Sequence, residues 1–268
     1  MPELPEVETV ASGLRDQLLG RRIHALELLR ASVYRGPDPS VLAGATLRAV
    51  RRAGKYLVID AGEDWQILFH LGMTGRLVIY PPQTPPAPHT HLVMDFESAE
   101  LHFRDPRRFG RVAVAPAPSD GGFAPEFAVA AGAEPLEIGP DAFAALFHGR
   151  SAPIKNALLN QKLLRGLGNI YADESLFRAG IAPRARRLSR PRLLRLRTAI
   201  RAVLREAIAA GGSSISDYRD SRGEPGWFHL HHRVYGRTGE PCRNCRQPIR
   251  RIVLAGRSAH YCPACQKT

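Results

Sequence analysis

Four cysteines near the C-terminal end of the chain have the spacing of metal ligands. Cys242, Cys245, Cys262 and Cys265 form the pattern C-x2-C-x16-C-x2-C, which lies within the range of zinc ribbons. Each pair lets two thiolates reach one tetrahedral ion, and the segment between the pairs is long enough for a hairpin that returns to the metal. Two disulfide bonds are the alternative, which the absence of any other cysteine disfavours. The pattern predicts one structural Zn²⁺ ion in an arginine-rich hairpin.

Pro2 and Glu3 could perform nucleophilic and acid–base chemistry. If Met1 is removed, Pro2 has a secondary amine, and α-amino groups titrate near ~8, so part of it is unprotonated at neutral pH. Such an amine can attack an electrophilic sugar carbon and give an iminium, which accepts electrons in an elimination. The carboxylate of Glu3 could move the protons. Proline after Met1 is also common without any such role, so both interpretations stay open on these residues alone.

The stretch Gly166–Asn169 predicts a tight turn into a helix. Its two glycines let the backbone turn sharply, and Asn169 is a suitable N-cap residue. The exposed N–H groups at a helix start suit a phosphate. Many helices begin this way without binding anything, so an ordinary helix start is the alternative.

The charge is distributed unevenly along the chain. Lys and Arg number 38 against 25 Asp and Glu, a formal net charge of +13. Residues 1–183 contain 19 basic and 20 acidic residues, whereas residues 184–268 contain 19 and 5. A region as basic as residues 184–268 usually binds a polyanion such as nucleic acid. The alternatives are a solvated basic surface and a preference for arginine codons. No apolar run approaches the ~18 residues of a membrane span, and we expect no signal peptide.

Apolar periodicity predicts a strand-rich part followed by a helical part. Val7, Val10, Leu14 and Leu18 recur at helical spacing, with Gly20 as a stop. From about residue 47 to 114, short runs of β-forming residues alternate with glycine and proline, which is typical of a sandwich or barrel. A proline-rich stretch predicts a domain boundary near residue 130. Beyond it, the predicted helices span 151–160, 169–180 and 193–210.

Short motifs along the chain form one ordered set. They are Pro2–Thr9, Gly54–Leu57, His70–Gly75, Asp105–Gly110, Gly166–Asp173, Gly211–Ser214, Val234–Gly236 and the four-cysteine finger. Any one of them could arise by chance, whereas all of them in this order leave little room for chance. Together they resemble the formamidopyrimidine-DNA glycosylases, bacterial enzymes that remove oxidised purines from DNA. The resemblance covers essentially the whole chain.

The resemblance implies an α+β multidomain fold. It implies an N-terminal β-sandwich flanked by helices, a helical helix–two-turn–helix domain and a C-terminal zinc β-hairpin finger. We place the catalytic β-sandwich domain at residues 1–130, the helix–two-turn–helix domain at 131–232 and the finger at 233–268. Residues 213–232 resemble the loop that caps a flipped 8-oxoguanine, and a disordered linker is the alternative there.

The resemblance also implies catalytic roles for five residues. Pro2 would be the nucleophile that forms a Schiff base at the sugar C1′, and Glu3 would donate protons in base release and ring opening. Glu6 would support the N-terminal helix. Lys55 would contact a phosphate and assist β-elimination, and Arg257 would contact a phosphate and assist δ-elimination.

Met73, Arg107 and Phe109 match the residues that fill the gap left by an extruded nucleotide. Enzymes that act on a base must flip it out of the duplex, and apolar wedges and cations can occupy the vacancy. The glycine- and proline-framed settings of Met73 and Phe109 favour loop tips, with core packing as the alternative.

Further contacts to the DNA backbone are implied for residues in both halves of the chain. They are His70, His89, Arg150, Asn169 and Tyr235. Arg150 departs from the family, which often has a lysine-rich stretch at this point, and arginine differs from lysine in shape and hydration. The geometry of a contact there is therefore open.

Two other functions are compatible with parts of the sequence. The endonuclease VIII enzymes, which prefer oxidised pyrimidines, share the nucleophile and the finger, but Leu4-Pro5 and the segment 213–232 favour the purine enzymes. A non-catalytic zinc protein that only senses damage would not need Pro2, Glu3, Lys55 and Arg257. The resemblance thus implies a monomeric DNA repair enzyme, a glycosylase and AP lyase, that acts on damaged double-stranded DNA. We expect it in the bacterial cytoplasm and not at a membrane.

Overall fold

The chain forms two compact units. A computed structural model describes residues 1–127, 129, 132–214 and 218–268. The first unit comprises Met1–Val129 and Ala210–Trp227, and the second comprises Ala130–Ala209 and Phe228–Thr268. Within the described residues, no helix combines the length and the apolar character that a bilayer crossing requires.

The first unit contains one long helix and two β-sheets. The helix is α1 (Leu4–Leu18) and the strands are β1 (Ala25–Leu28), β2 (Tyr34–Arg35), β3 (Leu47–Ala53), β4 (Tyr56–Ala61), β5 (Trp65–His70), β6 (Arg76–Tyr80), β7 (Thr90–Asp95), β8 (Glu100–Arg104) and β9 (Arg111–Pro116). In the described part of the chain, one sheet has the order β2-β9-β5-β4-β3 and the other β1-β7-β8-β6. The pairs are antiparallel except for the short parallel pair of β2 and β9.

Apolar side chains of both sheets share one core, so the unit is a β-sandwich. Leu57 and Phe69 of the first sheet and Leu92 and Phe103 of the second are all fully buried in it. The rings of Phe69 and Phe103 lie 5.9 Å apart between centroids. The short β-forming runs that the sequence has between about residues 47 and 114 correspond to β3 to β9.

Helix α1 forms where the apolar spacing predicts it. Val7, Val10, Leu14 and Leu18 are buried on one face and belong to the sandwich core. The helix ends before Gly20, whose φ of +79° lies in the left-handed region that glycine adopts without strain.

The second unit is mainly helical and ends in a hairpin. Its elements are α2 (Pro140–Phe147), α3 (Ile154–Leu158), α4 (Asn169–Arg178), α5 (Arg190–Ala209), β10 (Arg250–Leu254) and β11 (Arg257–Tyr261). Helix α5 buries the apolar stripe that the sequence predicts, since Leu193, Leu196, Ile200 and Val203 are at most 1% exposed. Strands β10 and β11 form the hairpin expected between the cysteine pairs.

Two predicted helix boundaries are wrong. Helix α3 begins only at Ile154, because Pro153 steers the residue before it out of the helical region and cannot continue a helix from Ser151. Helix α4 has Gly168 at its N-cap, in an extended conformation with φ −129° and ψ −159°. Asn169 is therefore the first helical residue and not the cap, because the glycine turn extends one residue further.

Candidate functional site

The start of α1 is buried and tightly hydrogen-bonded. Pro2 is buried, and Glu3 and Glu6 are 4% and 2% exposed. The backbone N–H of Glu3 donates to Glu6 Oε2 at 2.8 Å, which is one half of a capping box. Pro5 lies in the first turn, where its missing N–H costs nothing. The second and third residues of the chain are thereby held beside the positive end of the helix dipole.

Glu6 also connects this helix to the predicted lesion-capping loop. The N–H of Ser213 donates to Glu6 Oε1 at 2.8 Å, and the hydroxyl of Tyr218 donates to the backbone O of Glu6 at 3.3 Å. Burial raises the pKa of Tyr218, so its hydroxyl keeps the proton that it donates. Gly212 has φ +81°, and a Cβ there would lie 3.0 Å from Glu6 Oε1, so a side chain would displace the carboxylate. Residues 215–217 of the loop lie outside the described residues.

Lys55 and His70 form a basic corner at one end of the first sheet. Lys55 lies in the turn between β3 and β4 and is 8% exposed. His70 pairs with Tyr56 across β4 and β5, with ring centroids 5.0 Å apart, and its Nδ1 accepts from Gly72 N–H at 3.3 Å. Burial, and then the positive charges of Lys55 and Arg111, lowers the pKa of His70. At neutral pH the ring is uncharged and Lys55 supplies the charge that suits a phosphate.

Met73 and Phe109 lie on two loops whose backbones touch. A Cβ on Gly72 would lie 2.6 Å from backbone atoms of Phe109 and Gly110, so only glycine allows this approach. Met73 and Phe109 are 41% and 50% exposed, which excludes core packing for both. The guanidinium of Arg107 lies 4.8 Å from the centroid of the Phe109 ring, in a cation–π contact.

A buried carboxylate to which the sequence analysis assigned no role holds these two loops. Asp105 is 0% exposed, and it accepts hydrogen bonds from the Thr74 hydroxyl, from Arg107 N–H at 3.3 Å and from Gly110 N–H at 2.7 Å. Its own N–H donates to the backbone O of His89 at 3.0 Å. His89 is exposed, with φ +70°. One buried carboxylate therefore holds the backbones of both loops and so fixes where their exposed side chains begin.

In the second unit, Arg150 and Asn169 lie at helix ends. Arg150 is exposed in the connection between α2 and α3, and its Nε donates to the backbone O of Leu146 at 2.5 Å. Asn169 opens α4, and its buried Oδ1 has no hydrogen-bond partner among the described residues. The unpaired atom is an acceptor, so it can take a hydrogen bond from a donor but cannot itself bind a phosphate oxygen.

Tyr235 is half-buried between two histidine rings. Its ring centroid lies 5.6 Å from that of His232 and 5.0 Å from that of His260. Burial lowers the pKa of His232 to about 4. The N–H of Tyr235 donates to Glu174 Oε1 at 2.8 Å. Burial raises the pKa of Glu174, although backbone hydrogen bonds to its carboxylate act in the opposite direction.

Arg257 is exposed at the start of β11, directly after the hairpin turn. The backbone O of its neighbour Ser258 accepts from Lys155 Nζ at 2.5 Å, and Lys155 Nζ also donates to Asp173 Oδ1 at 2.6 Å. The side chains of Lys155 and Asp173 are 0% exposed. Sequence reasoning missed this pair, because nothing in the helical pattern shows which charged residues become buried.

The four cysteines form a metal site. Their Sγ atoms all lie within 4.8 Å of one another, with Cys242 and Cys265 at 3.9 Å and Cys245 and Cys262 at 3.4 Å. A disulfide needs sulfur atoms about 2.05 Å apart, so the cysteines are not paired in this way. Four thiolates that converge on one point are the donor set of a structural zinc site. The finger holds one structural Zn²⁺ ion.

Comparison with known families matches three regions of the chain. Residues 1–112 match the formamidopyrimidine-DNA glycosylase N-terminal domain, residues 131–219 match the H2TH domain of the same enzymes, and residues 239–268 match a zinc finger found in FPG and IleRS. A formamidopyrimidine-DNA glycosylase of Solibacter usitatus is 46% identical over 273 residues, which covers 100% of both chains. One of Burkholderia cenocepacia is 44% identical over 279 residues, again with full coverage of both chains.

Solved structures agree with this relationship. A Lactococcus lactis FPG mutant in complex with Fapy-dG-containing DNA has a TM-score of 0.91 at 34% identity, with 100% of both chains covered. A complex of Lactococcus lactis Fpg with DNA containing an abasic site has a TM-score of 0.90 at 34% identity and covers 99% of this chain and 100% of that one. On sequence and structure alike, the chain belongs to the formamidopyrimidine-DNA glycosylase family.

Proposed function

We propose that the protein excises oxidised purines, namely 8-oxoguanine and formamidopyrimidines, from duplex DNA and then nicks the strand. The observation that carries the proposal is the buried start of α1, where Glu6 fixes the backbone beside Pro2 and Glu3 in a chain of this family. Complexes of the Lactococcus lactis relatives with Fapy-dG-containing and abasic-site DNA support damaged DNA as the ligand.

Base release begins at Pro2. Removal of Met1 gives Pro2 a secondary amine, which attacks C1′ of the damaged nucleotide as the N-glycosidic bond breaks. The base leaves with the electrons of that bond and takes up a proton from Glu3. The Pro2 nitrogen loses its proton to the carboxylate of Glu3, which passes it to the ring oxygen, and opening of the sugar ring leaves an iminium between Pro2 and C1′.

Strand cleavage uses the iminium as an electron sink. Loss of a proton from C2′ to a base sends its electrons into the iminium and gives an enamine, and return of these electrons expels the 3′ phosphate. We assign the phosphate contact and proton donation in this β-elimination to Lys55. The second elimination expels the 5′ phosphate and is assigned to Arg257. The low exposure of Lys55 and the neutral His70 beside it support a defined phosphate position at this corner. Hydrolysis of the final Schiff base returns the free amine of Pro2.

Exposed residues on the two adjoining loops would occupy the vacancy left by the flipped nucleotide. Met73 and Phe109 are the apolar wedges, and Arg107, stacked on the Phe109 ring, supplies a cation. Flipping costs a few kcal/mol, roughly the cost of unstacking, which such wedges offset. The remaining proposed contacts to the DNA backbone are His70, His89, Arg150, Asn169 and Tyr235.

We assign these roles to three domains, with boundaries at 1–130, 131–232 and 233–268. The loop at 213–232 would cap the lesion, and its hydrogen bonds to Glu6 support a connection between that loop and the catalytic helix. We place the enzyme as a monomer in the bacterial cytoplasm, where the DNA is, and its relatives named above come from bacteria. Light scattering at micromolar concentration tests whether the protein is monomeric.

Borohydride trapping tests the reaction directly. The protein without Met1 is incubated with a duplex that contains 8-oxoguanine opposite cytosine, and borohydride is added to reduce the iminium. We expect a covalent protein–DNA adduct that maps to Pro2 by mass spectrometry. Absence of an adduct, or an adduct on another residue, contradicts the mechanism.

The matched control blocks the amine without changing the side chain. A preparation that retains Met1 has an amide nitrogen at Pro2 and is expected to give no adduct. Pro2→Gly is a poorer control, because glycine also supplies an N-terminal amine. A parallel duplex with thymine glycol separates the two kinds of enzyme, since preferential cleavage of that lesion would contradict a purine substrate.

A further inference from the structure

Two adjacent carboxylates of α4 are buried and serve different segments of the second unit. Asp173 and Glu174 are 1% and 3% exposed, and the proposed reaction uses neither. Successive residues of an α-helix point about 100° apart, so the two carboxylates face different neighbours. Buried carboxylates persist only where they are paired or hydrogen-bonded, and their partners therefore indicate what they do.

Asp173 holds strand β11. Its Oδ1 accepts from Lys155 Nζ at 2.6 Å, and its Oδ2 accepts from His260 N–H at 2.9 Å and lies 3.1 Å from His260 Nδ1. Lys155 Nζ extends the same network to the backbone O of Ser258 at 2.5 Å. The backbone of β11 is thus fixed at two positions by one buried ion pair.

Both positions lie in β11 shortly after Arg257. Ser258 is the next residue, and Arg257 itself pairs with Leu254 across the hairpin, at the end of the register. A displacement of the strand at Ser258 or His260 would therefore move the base of the Arg257 side chain. The side chain is exposed, so the backbone of the hairpin sets where its guanidinium can reach.

Glu174 holds a different segment. Its Oε1 accepts from the N–H groups of Val234 at 3.0 Å and Tyr235 at 2.8 Å, and its Oε2 accepts from Arg233 N–H at 2.9 Å. Three successive backbone donors converge on one carboxylate, which fixes the direction of the segment that carries Tyr235. A side-chain amide could not replace it, because one of its two polar groups is itself a donor.

Stability alone does not account for this arrangement. A buried ion pair must be desolvated, and apolar residues of similar volume often stabilise a protein equally well or better. What the ion pair provides beyond apolar packing is direction, since its hydrogen bonds are satisfied in one geometry only. Both carboxylates direct backbone groups in this way. These groups belong to the segments that carry the residues assigned to the DNA backbone.

We propose that Asp173 is a positioning residue for strand cleavage and that Glu174 is a positioning residue for DNA binding. Asp173, together with Lys155, fixes Arg257 for δ-elimination, and Glu174 fixes Tyr235 for binding of the DNA backbone. The proposal rests on the function proposed above, because it takes the roles of Arg257 and Tyr235 from it.

The test of Asp173 uses a duplex with a preformed abasic site. The measured quantity is the ratio of δ- to β-elimination product in Asp173→Asn. We expect the ratio to fall by roughly 10- to 100-fold, as for a reactive group misplaced by about 1 Å. Borohydride trapping, which reports on Pro2, is expected to change far less. A variant that is only destabilised would lose δ-elimination and borohydride trapping in the same proportion.

A double variant tests the pair. Lys155→Gln with Asp173→Asn keeps the net charge of the wild type. The two amides can pair if the amide at position 173 donates to the amide oxygen at position 155, which leaves an acceptor for His260 N–H and a donor for the backbone O of Ser258. We expect the δ/β ratio to recover in the double variant relative to either single variant. Asp173→Asn leaves a buried ammonium group uncompensated. If it therefore fails to fold, the double variant compared with Lys155→Gln decides the question.

Glu174→Gln has a different expected readout. We expect its Kd for abasic-site DNA to rise by roughly tenfold, as when one good contact is lost, with the δ/β ratio of bound enzyme retained. Glu206→Gln is the matched control, since Glu206 pairs with Arg178 on the surface and its loss changes the charge by the same amount. Bound zinc is measured in every variant as a check on the finger.

The outcomes separate this proposal from the proposed function. If Arg257→Ala leaves the δ/β ratio unchanged, the role assigned to Arg257 is wrong. If Arg257→Ala lowers the ratio but zinc-loaded Asp173→Asn matches the wild type, positioning by Asp173 is wrong and the function stands. Equal Kd values for Glu174→Gln and Glu206→Gln overturn the role of Glu174.

Discussion

The start of α1 in the first unit and the finger hairpin in the second hold their proposed reactive residues by different physical means. Helix α1 buries Val7, Val10 and Leu14 in a core that both sheets of the sandwich share. The apolar cluster around the finger is much smaller. It consists of Phe177, Val234, Cys242, Ile249 and Cys262, two of which are metal ligands.

This difference shows which forces place each residue. Apolar burial is non-directional and grows with area, so a large core can fix Pro2 and Glu3 once their helix packs. The hairpin that carries Arg257 has too little apolar surface for that, and it uses directional bonds instead, to the metal and to the Lys155–Asp173 pair. We therefore expect chelation of the metal and acid to destabilise mainly the second unit. Loss of apolar side-chain volume should destabilise mainly the first unit.

The largest expected effect is loss of the metal. Cys262→Ala removes a fully buried ligand, and structural zinc contributes roughly 10–16 kcal/mol in zinc-finger peptides. We expect loss of bound zinc, of δ-elimination and of DNA binding measured by fluorescence anisotropy, while the β-sheet signal in circular dichroism is kept. Ala264→Ser, an exposed change between two ligands, is the control. If Cys262→Ala retained the δ-elimination of the wild type without bound zinc, the metal would not be what holds Arg257 in place.

The converse change removes core volume from the first unit. Phe69→Ala takes a fully buried ring out of the sandwich core and is expected to lower the free energy of unfolding by roughly 3–5 kcal/mol. Urea unfolding measures the loss, and zinc content should stay at one ion. Phe109→Ala removes the same ring from an exposed loop and should cost less than about 0.5 kcal/mol. Similar losses in both variants would contradict the placement of the two rings.

Periodicity and motif spacing predicted the parts of the molecule that depend on local pattern. The helix over Leu4–Leu18 follows from apolar residues at helical spacing, and the metal site follows from the spacing of the cysteines. The exposure of Met73 and Phe109 follows from glycine and proline around them, because such residues favour turns.

The residues that support the site could not be predicted in this way. Asp105, Lys155 and Asp173 are charged, and a charged residue on a strand end or helix is normally exposed. Only the tertiary fold brings Lys155 within 2.6 Å of Asp173, 18 positions away along the chain. The parallel pairing of β2 with β9 is equally non-local, since it joins Tyr34 to Val112. The wrong start of α3 had a local signal, the proline at 153, which the capping argument overlooked.

Acid should destabilise the second unit through His232. Burial lowers the pKa of this side chain from its ordinary value of 6.5 to about 4, so the folded state binds fewer protons than the unfolded chain. Its contribution to stability is complete above pH 6.5 and is lost as the pH falls towards 4. Between pH 7 and 5 the expected loss is about 2 kcal/mol. The carboxyl of Glu8 in the first unit behaves differently, because its lowered pKa affects stability only below about 4.5.

A matched pair of variants isolates this effect. In His232→Gln the loss of stability between pH 7 and 5 should be smaller than in the wild type, measured by urea-induced zinc release. His231→Gln, an exposed neighbour, is the control and should follow the wild type. His70 in the first unit has a shift of the same sign, so the comparison is made between variants and not between units. Parallel pH profiles for wild type and His232→Gln would contradict the assignment.

The smallest expected effect lies in the turn that precedes Arg257. Ala255 and Gly256 have φ of +47° and +75°, the conformation of a two-residue type I′ turn, in which asparagine followed by glycine is favoured. A left-handed alanine costs roughly 1–2 kcal/mol, part of which asparagine avoids, so Ala255→Asn should stabilise the hairpin by about 0.5 kcal/mol. Gly256→Ala should destabilise it by about 1 kcal/mol even though nothing lies within 4 Å of the added Cβ, because the backbone alone resists the change. We expect the urea midpoint of zinc release to rise in Ala255→Asn and to fall in Gly256→Ala. Shifts of the same sign would mean that the metal and the ion pair, and not the turn, determine the conformation of this hairpin.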